Sequence, residues 1–162
     1  MHRGGQRWIG DSPPPPRLPR YRLTRTGTTT HHRLVSEEPF EWPRINYGAD
    51  NGRPYRYAYG VGAVSDPAAP TATITKLDLT DGTTTHWHES GCYTGEPVFV
   101  PDPNRPADDD AGVVLSIVFQ PARNASFLLV LDARDLTELA RAHAPHHLPF
   151  GFHGNHFPPT RA

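Results

Sequence analysis

Thr73-Ile-Thr-Lys-Leu-Asp-Leu79 and Thr83-Thr-Thr-His-Trp-His88, on either side of Asp81-Gly82, form the stretch whose reading decides the fold. Both runs are short and of β type, rich in threonine with isoleucine, leucine or tryptophan, and turn residues lie between them. Asp-Gly between two such runs is a strong hairpin signal, because glycine reaches positive φ without a steric penalty. The stretch therefore predicts two antiparallel strands.

The same texture extends outward. Upstream, Tyr55-Arg-Tyr-Ala-Tyr59 alternates aromatic with small or polar residues, and Tyr21–Thr26 and Thr28–Leu34 flank Gly27 as two further strands. Downstream, Pro97-Val-Phe-Val100, Gly112–Phe119 and Ser126–Leu131 are short apolar runs bounded by Pro, Asp, Asn or Gly. One segment dissents. Asp135-Leu-Thr-Glu138 has the spacing of a capping box, and Leu139-Ala-Arg-Ala142 continues it with good helix formers. Everything else predicts an all-β chain: a sandwich, a barrel or a propeller. No clean internal repeat chooses among these.

Composition narrows the function classes. The 162 residues are 36% hydrophobic and 10% aromatic, with a mean hydropathy of −0.60. This is polar, but its aromatic and β-branched clusters can build a core. A formal charge of −1 gives no general attraction to nucleic acid or anionic lipid, so no nucleic-acid partner is expected. Cys92 is the only cysteine, which excludes an internal disulfide or a multi-thiolate zinc site and suits a reducing compartment. The longest apolar runs, such as Phe127–Leu131, are about five residues, far short of a transmembrane span. Met1–Gly10 lacks the apolar region of a secretory signal, so a cytoplasmic location is expected. Residues 1–16 end in four prolines and show no period, reading as a disordered lead-in to a domain at 17–162.

Several segments, in order, resemble the carotenoid cleavage oxygenases, the family that includes retinal pigment epithelial membrane protein, stilbene-cleaving and retinoid-isomerising members. They are Pro39-Phe-Glu-Trp-Pro-Arg-Ile-Asn-Tyr47, Asn51–Gly60, Lys76-Leu-Asp-Leu79, Gly95-Glu-Pro-Val-Phe-Val-Pro101, Asp109–Ser116, Leu128–Ala133, Glu138-Leu-Ala-Arg141 and Phe150-Gly-Phe-His-Gly154. The resemblance implies a seven-bladed β-propeller carrying Fe(II) on its axis, bound by four histidines with no other redox cofactor. It implies cleavage of a conjugated double bond of an apolar carotenoid or apocarotenoid by O₂, giving two carbonyl products. This chain resembles the C-terminal two to three blades, and an upstream propeller portion is the implied partner. The resemblance also turns Glu138–Arg141 from helix to strand.

Of the four ligands, the resemblance places only one here, at His153. Imidazole suits Fe(II), and Gly151 and Gly154 beside His153 allow close approach of backbone and metal. A metal-bound imidazole generally donates its second N–H to a carboxylate, which fixes its tautomer. Glu41 and Glu96 stand at two positions where the family has such carboxylates, although their expected partners are histidines this chain lacks. Other histidines are expected to be bystanders: His86 and His88, which share a strand face, His146, His147 and His156. Asp108-Asp-Asp110 reads as a solvated acidic turn. Tyr55, Tyr57, Tyr59, Phe119 and Phe127 are assigned to no substrate, since core packing explains them equally well.

Two other readings compete. The chain is catalytically inactive alone, because it lacks three of four iron ligands, or it is a cupin-like metal-binding β-sandwich built on His86, His88 and Glu96 with a second motif, Pro149-x-Gly-x-His153-x-Asn155. The cupin spacings fit poorly and leave Phe40-Glu-Trp-Pro-Arg-Ile-Asn-Tyr47 unexplained. The sequence names neither the substrate nor the cleaved bond.

Overall fold

The computed structural model describes residues 16–25, 30–63, 72–105, 108–151 and 153–157. The expected lead-in falls almost wholly on 1–15, outside the described residues, as does the Gly27 turn. The strands are β1 (Pro19–Leu23), β2 (Thr30–Leu34), β3 (Glu41–Arg44), β4 (Tyr57–Ala63), β5 (Ala72–Asp78) and β6 (Thr84–Trp87). They continue with β7 (Tyr93–Thr94), β8 (Val98–Pro101), β9 (Gly112–Gln120), β10 (Ala125–Asp132) and β11 (Glu138–His143). One helical turn, α1 (Tyr47–Asp50), follows β3.

β1 and β2 pair as an exposed ribbon. The first larger sheet runs β3-β4-β5-β6. The decisive hairpin is its β5–β6 pair, with Leu77 opposite Thr84. Its turn is longer than a two-residue connection: the Asp78 amide donates to the Thr83 carbonyl, the Gly82 amide donates to the Asp78 carbonyl, and Gly82 sits at φ 80°. The second sheet runs β11-β10-β9-β7, and β8 also pairs with β9.

The two sheets share a core. Tyr59 and Ile74 from the first pack with Phe99, Val114, Val118, Phe127, Leu129 and Leu131 from the second. Because side chains alternate along a strand, Ala58 and Leu77 fall on the other face, where they meet Phe40, Val35 and Leu18. The central strand β5 is thus covered on both faces, and Ile74, Thr75 and Leu77 are fully buried. Tyr59 links the sheets directly: its ring stacks on Phe99 at 5.3 Å and its hydroxyl donates to the Ala133 carbonyl at 2.9 Å. That burial pushes the Tyr59 phenol far above its usual range. Gly60 is required here, since a Cβ would overlap the Phe40 ring and the Glu41 carbonyl.

One sequence expectation is decided and one changes. Residues 138–142 form strand, as the family resemblance implied, and not the helix that their local capping-box pattern alone suggests. The Asp135 carboxylate accepts the Thr137 amide at 2.9 Å, Leu136 takes φ 60°, and the Asp132 amide reaches the Thr137 carbonyl at 2.8 Å. The chain reverses there, and β11 completes a ladder with β10 from Phe127↔His143 to Leu131↔Glu138. A tertiary ladder outweighs a modest helix preference. Second, Asp108–Asp110 is not simply a solvated turn. Asp108 pairs with Arg105, while Asp110 holds the buried Lys76 ammonium at 2.7 Å. Lys76 also donates to the Arg134 carbonyl at 2.7 Å and lies 4.0 Å above the Tyr57 ring, so the buried cation is fully compensated.

Candidate functional site

The site begins with a break in an edge strand. β7 and β8 lie along the same side of β9, with Thr94 opposite Val118 and Val98 opposite Leu115. Between them Gly95-Glu96-Pro97 leaves the ladder, because proline has no N–H to donate. The break is fixed by the Gly95 amide donating to the Ile117 carbonyl at 2.8 Å and by the Ser116 hydroxyl donating to the Gly95 carbonyl at 2.9 Å. Glu96 occupies this break with its side chain only 6% exposed.

The segment after β11 comes back to it. The Ala144 amide donates to the Ser126 carbonyl at 2.8 Å, and the Leu148 amide to the Ser126 hydroxyl at 2.9 Å. Phe150 then packs edge-on against Phe119 and Tyr93. This directs residues 153–155 onto Glu96. One Glu96 oxygen lies 3.2 Å from His153 Nδ1, and the other accepts the Gly154 amide at 3.0 Å. The sequence had left Glu96 without a histidine; the fold supplies His153.

Arg44 completes the cluster. Its Nε is 3.7 Å from Glu96, and its Nη2 donates to the Gly154 carbonyl and, at 2.7 Å, to Asn155 Oδ1. Arg44 was not singled out from the sequence, and Asn155 appeared only in the cupin-like reading. The only available hint was the place of Arg44 in Pro43-Arg-Ile-Asn46.

Beside these groups lies a cleft of about 400 Å³. Leu115, Ile117, Phe119, Leu128, Leu148 and Phe150 make its apolar wall; Glu96, Ser116, His153, Asn155 and His156 are the polar groups at it. An apolar cleft with a few convergent polar groups is the usual form of a small-molecule site.

The remaining candidates lie elsewhere. Glu41 is exposed, and its backbone pairs with Val61 across β3 and β4. His86 is held by Glu38 at 3.0 Å and Thr75 at 3.1 Å, and His88 is exposed beyond the end of β6. His146 gives its carbonyl to the Ser126 amide, and His147 packs edge-on to Phe119. Among the described residues no three His, Cys, Asp or Glu side chains gather as a metal-binding group. Cys92 is buried, and burial together with neighbouring Glu89 raises its thiol to about 11, which suppresses thiolate chemistry. Among the described residues no helix is long and apolar enough to cross a membrane.

The comparisons agree with this architecture. Residues 2–158 match the family described as retinal pigment epithelial membrane protein. A mitochondrial carotenoid-cleaving dioxygenase of Mustela putorius furo is 45% identical over 125 residues, covering 75% of this chain and 22% of that protein. A carotenoid isomerooxygenase of Galleria mellonella is 44% identical over 128 residues, covering 75% of this chain and 25% of that protein. The chain therefore spans about a quarter or less of these relatives' length, and it matches their C-terminal part. Among solved structures, a cobalt-substituted apocarotenoid oxygenase of Synechocystis superposes with a TM-score of 0.77 at 30% identity, covering 86% of this chain and 29% of that one. The two sheets are accordingly blades of a partial seven-bladed β-propeller, which sets aside the cupin-like sandwich. The chain belongs to the carotenoid oxygenase family.

Proposed function

We propose that this chain is the C-terminal part of an Fe(II)-dependent dioxygenase that splits a conjugated double bond of a carotenoid or apocarotenoid into two carbonyl products. The observation that carries this reading is the Glu96–His153 contact of 3.2 Å at the edge of the apolar cleft. With Nδ1–H donating to Glu96, the ring presents Nε2 as the donor atom for a metal. Bound Fe(II) would supply the open coordination positions that O₂ chemistry requires. The protein's own contribution is to fix the imidazole tautomer, hold the ring against the cleft and offer an apolar wall to a polyene. Glu41 is proposed for the same supporting role toward a histidine of an upstream propeller portion. A cytoplasmic setting is proposed from the single buried thiol.

One imidazole cannot hold Fe(II) tightly, so the chain alone is expected to bind no stoichiometric iron and to release no aldehyde from a carotenoid. The test joins it to the upstream portion of the Synechocystis apocarotenoid oxygenase in place of that enzyme's matching segment. The chimera should bind iron and cleave an apocarotenoid, and His153→Ala should lose both. Iron content and cleavage that survive His153→Ala would overturn the assignment. A chimera that folds but neither binds iron nor cleaves would favour the catalytically inactive reading.

A further inference from the structure

We infer that Arg44 is the positioning residue that sets the place of His153, an inference that rests on the proposed role of that histidine. Its geometry begins with an irregularity in β3. Glu41 pairs with Val61, and an unbroken antiparallel ladder would place Pro43 opposite Tyr59. Instead the register shifts and Arg44 stands opposite Tyr59, with Trp42 at φ 51° inside the bulge. Bulges of this kind re-aim a side chain, and a positive φ at tryptophan is strained and persists only where the surroundings require it.

The bulge delivers a guanidinium to a place where a planar fork is useful. The Arg44 side chain is 14% exposed, with Glu96 on one side and residues 154–155 on the other. The residue that follows His153 is gripped at both peptide groups: Glu96 accepts the Gly154 amide, and Arg44 donates to the Gly154 carbonyl. Arg44 also holds Asn155, and the second Glu96 oxygen meets the His153 ring. Cation and anion therefore fix the backbone immediately after the imidazole as well as the imidazole itself. This matters because the His153 side chain is 61% exposed, so burial does little to hold the ring. A lysine would keep the charge facing Glu96 but lacks the rigid fork that serves several acceptors at once.

The test uses the full chain without metal, so it is independent of whether iron binds. Hydrogen exchange at the Gly154 amide and the ¹⁵N signals of the His153 ring are read at fixed pH, with β9 and β10 amides as the internal standard. Arg44→Met should speed Gly154 exchange about tenfold, the loss of roughly one charged hydrogen bond. It should also shift the ring signals while leaving the β9 and β10 amides protected. Arg44→Lys should lie between wild type and Arg44→Met. Asn155→Ala, at an exposed position, should give a smaller change of the same kind, and it carries the test if Arg44→Met does not fold. Unchanged Gly154 exchange and ring signals in a folded Arg44→Met, or in Asn155→Ala when that variant carries the test, would overturn the proposal. So would full recovery in Arg44→Lys, which would reduce Arg44 to a simple counter-charge. Failure of the iron reading appears separately, as iron retained by the His153→Ala chimera.

Discussion

The paired sheets and the segment after β11 are stabilised in opposite ways. In the sheets, Phe127, Leu129, Leu131, Ile74 and Val114 are all at most 1% exposed, and the strands are fixed by continuous ladders. Among the described residues between Ala144 and Phe157 there is no ladder: a few bonds to Ser126, the His147 and Phe150 rings and the Arg44–Glu96 pair do the holding. Phe150 and Phe157 are 70% and 81% exposed. The difference separates a scaffold held by apolar burial from a C-terminal segment held by a handful of directed polar contacts. The first tolerates little loss of volume; the second is adjustable, and its accuracy depends on single residues.

The comparison is broken most severely in the core. Phe127→Ala removes a buried ring that also lies under Arg141 at 4.4 Å, and should cost about 4 kcal/mol of unfolding free energy in a denaturant titration. A loss below about 1 kcal/mol would contradict the account of the core.

A smaller effect is expected from acid. Burial would raise the Asp78 carboxyl, but hydrogen bonds from the Arg56 side chain and from the Thr80 hydroxyl and amide outweigh it and lower the group to about 2. A group depressed in the folded state stabilises above its unfolded pKa of about 4 and loses that contribution as pH falls through its folded value. Thermal unfolding from pH 5 to pH 2 should therefore show a fall in stability between about pH 4 and about pH 2. Asp78→Asn should be less stable at pH 5 and should flatten part of this fall. An identical pH profile in the variant would remove Asp78 from the explanation.

The smallest change in stability belongs to the tail. Phe150→Ala should cost less than about 1 kcal/mol, because so much of the ring is already exposed. Proteolysis of residues 144–157 should nonetheless quicken, since Phe119 and Tyr93 lose their edge contacts. A core-sized loss would show that the tail is part of the scaffold.

Much of the scaffold was legible. The β5–β6 hairpin followed from two short β-type runs around Asp81-Gly82, a local signal. β9 and β10 were equally plain as apolar runs between turn residues. Glu138–Arg141 was read as strand only through the family resemblance, because its local four-residue pattern serves a helix or an edge strand equally well. Lys76 with Asp110 was invisible for a similar reason: the partners are 34 positions apart, and no local rule pairs them. At the site, His153 and Glu96 were found through short motifs, but their mutual contact was not, since it spans 57 positions.

The sequence by itself determined the all-β character, the main strand order, the family and the residues worth watching at its C-terminal end. Alternation, turn residues and motif order are local properties, and they act before the chain closes on itself. Only the tertiary structure decided that Glu96 meets His153 and that Arg44 faces Gly154 and Asn155. Those outcomes depend on a bulge at Trp42, a ladder broken at Pro97 and the path of residues 144–155, where one shifted register changes which side chains can touch.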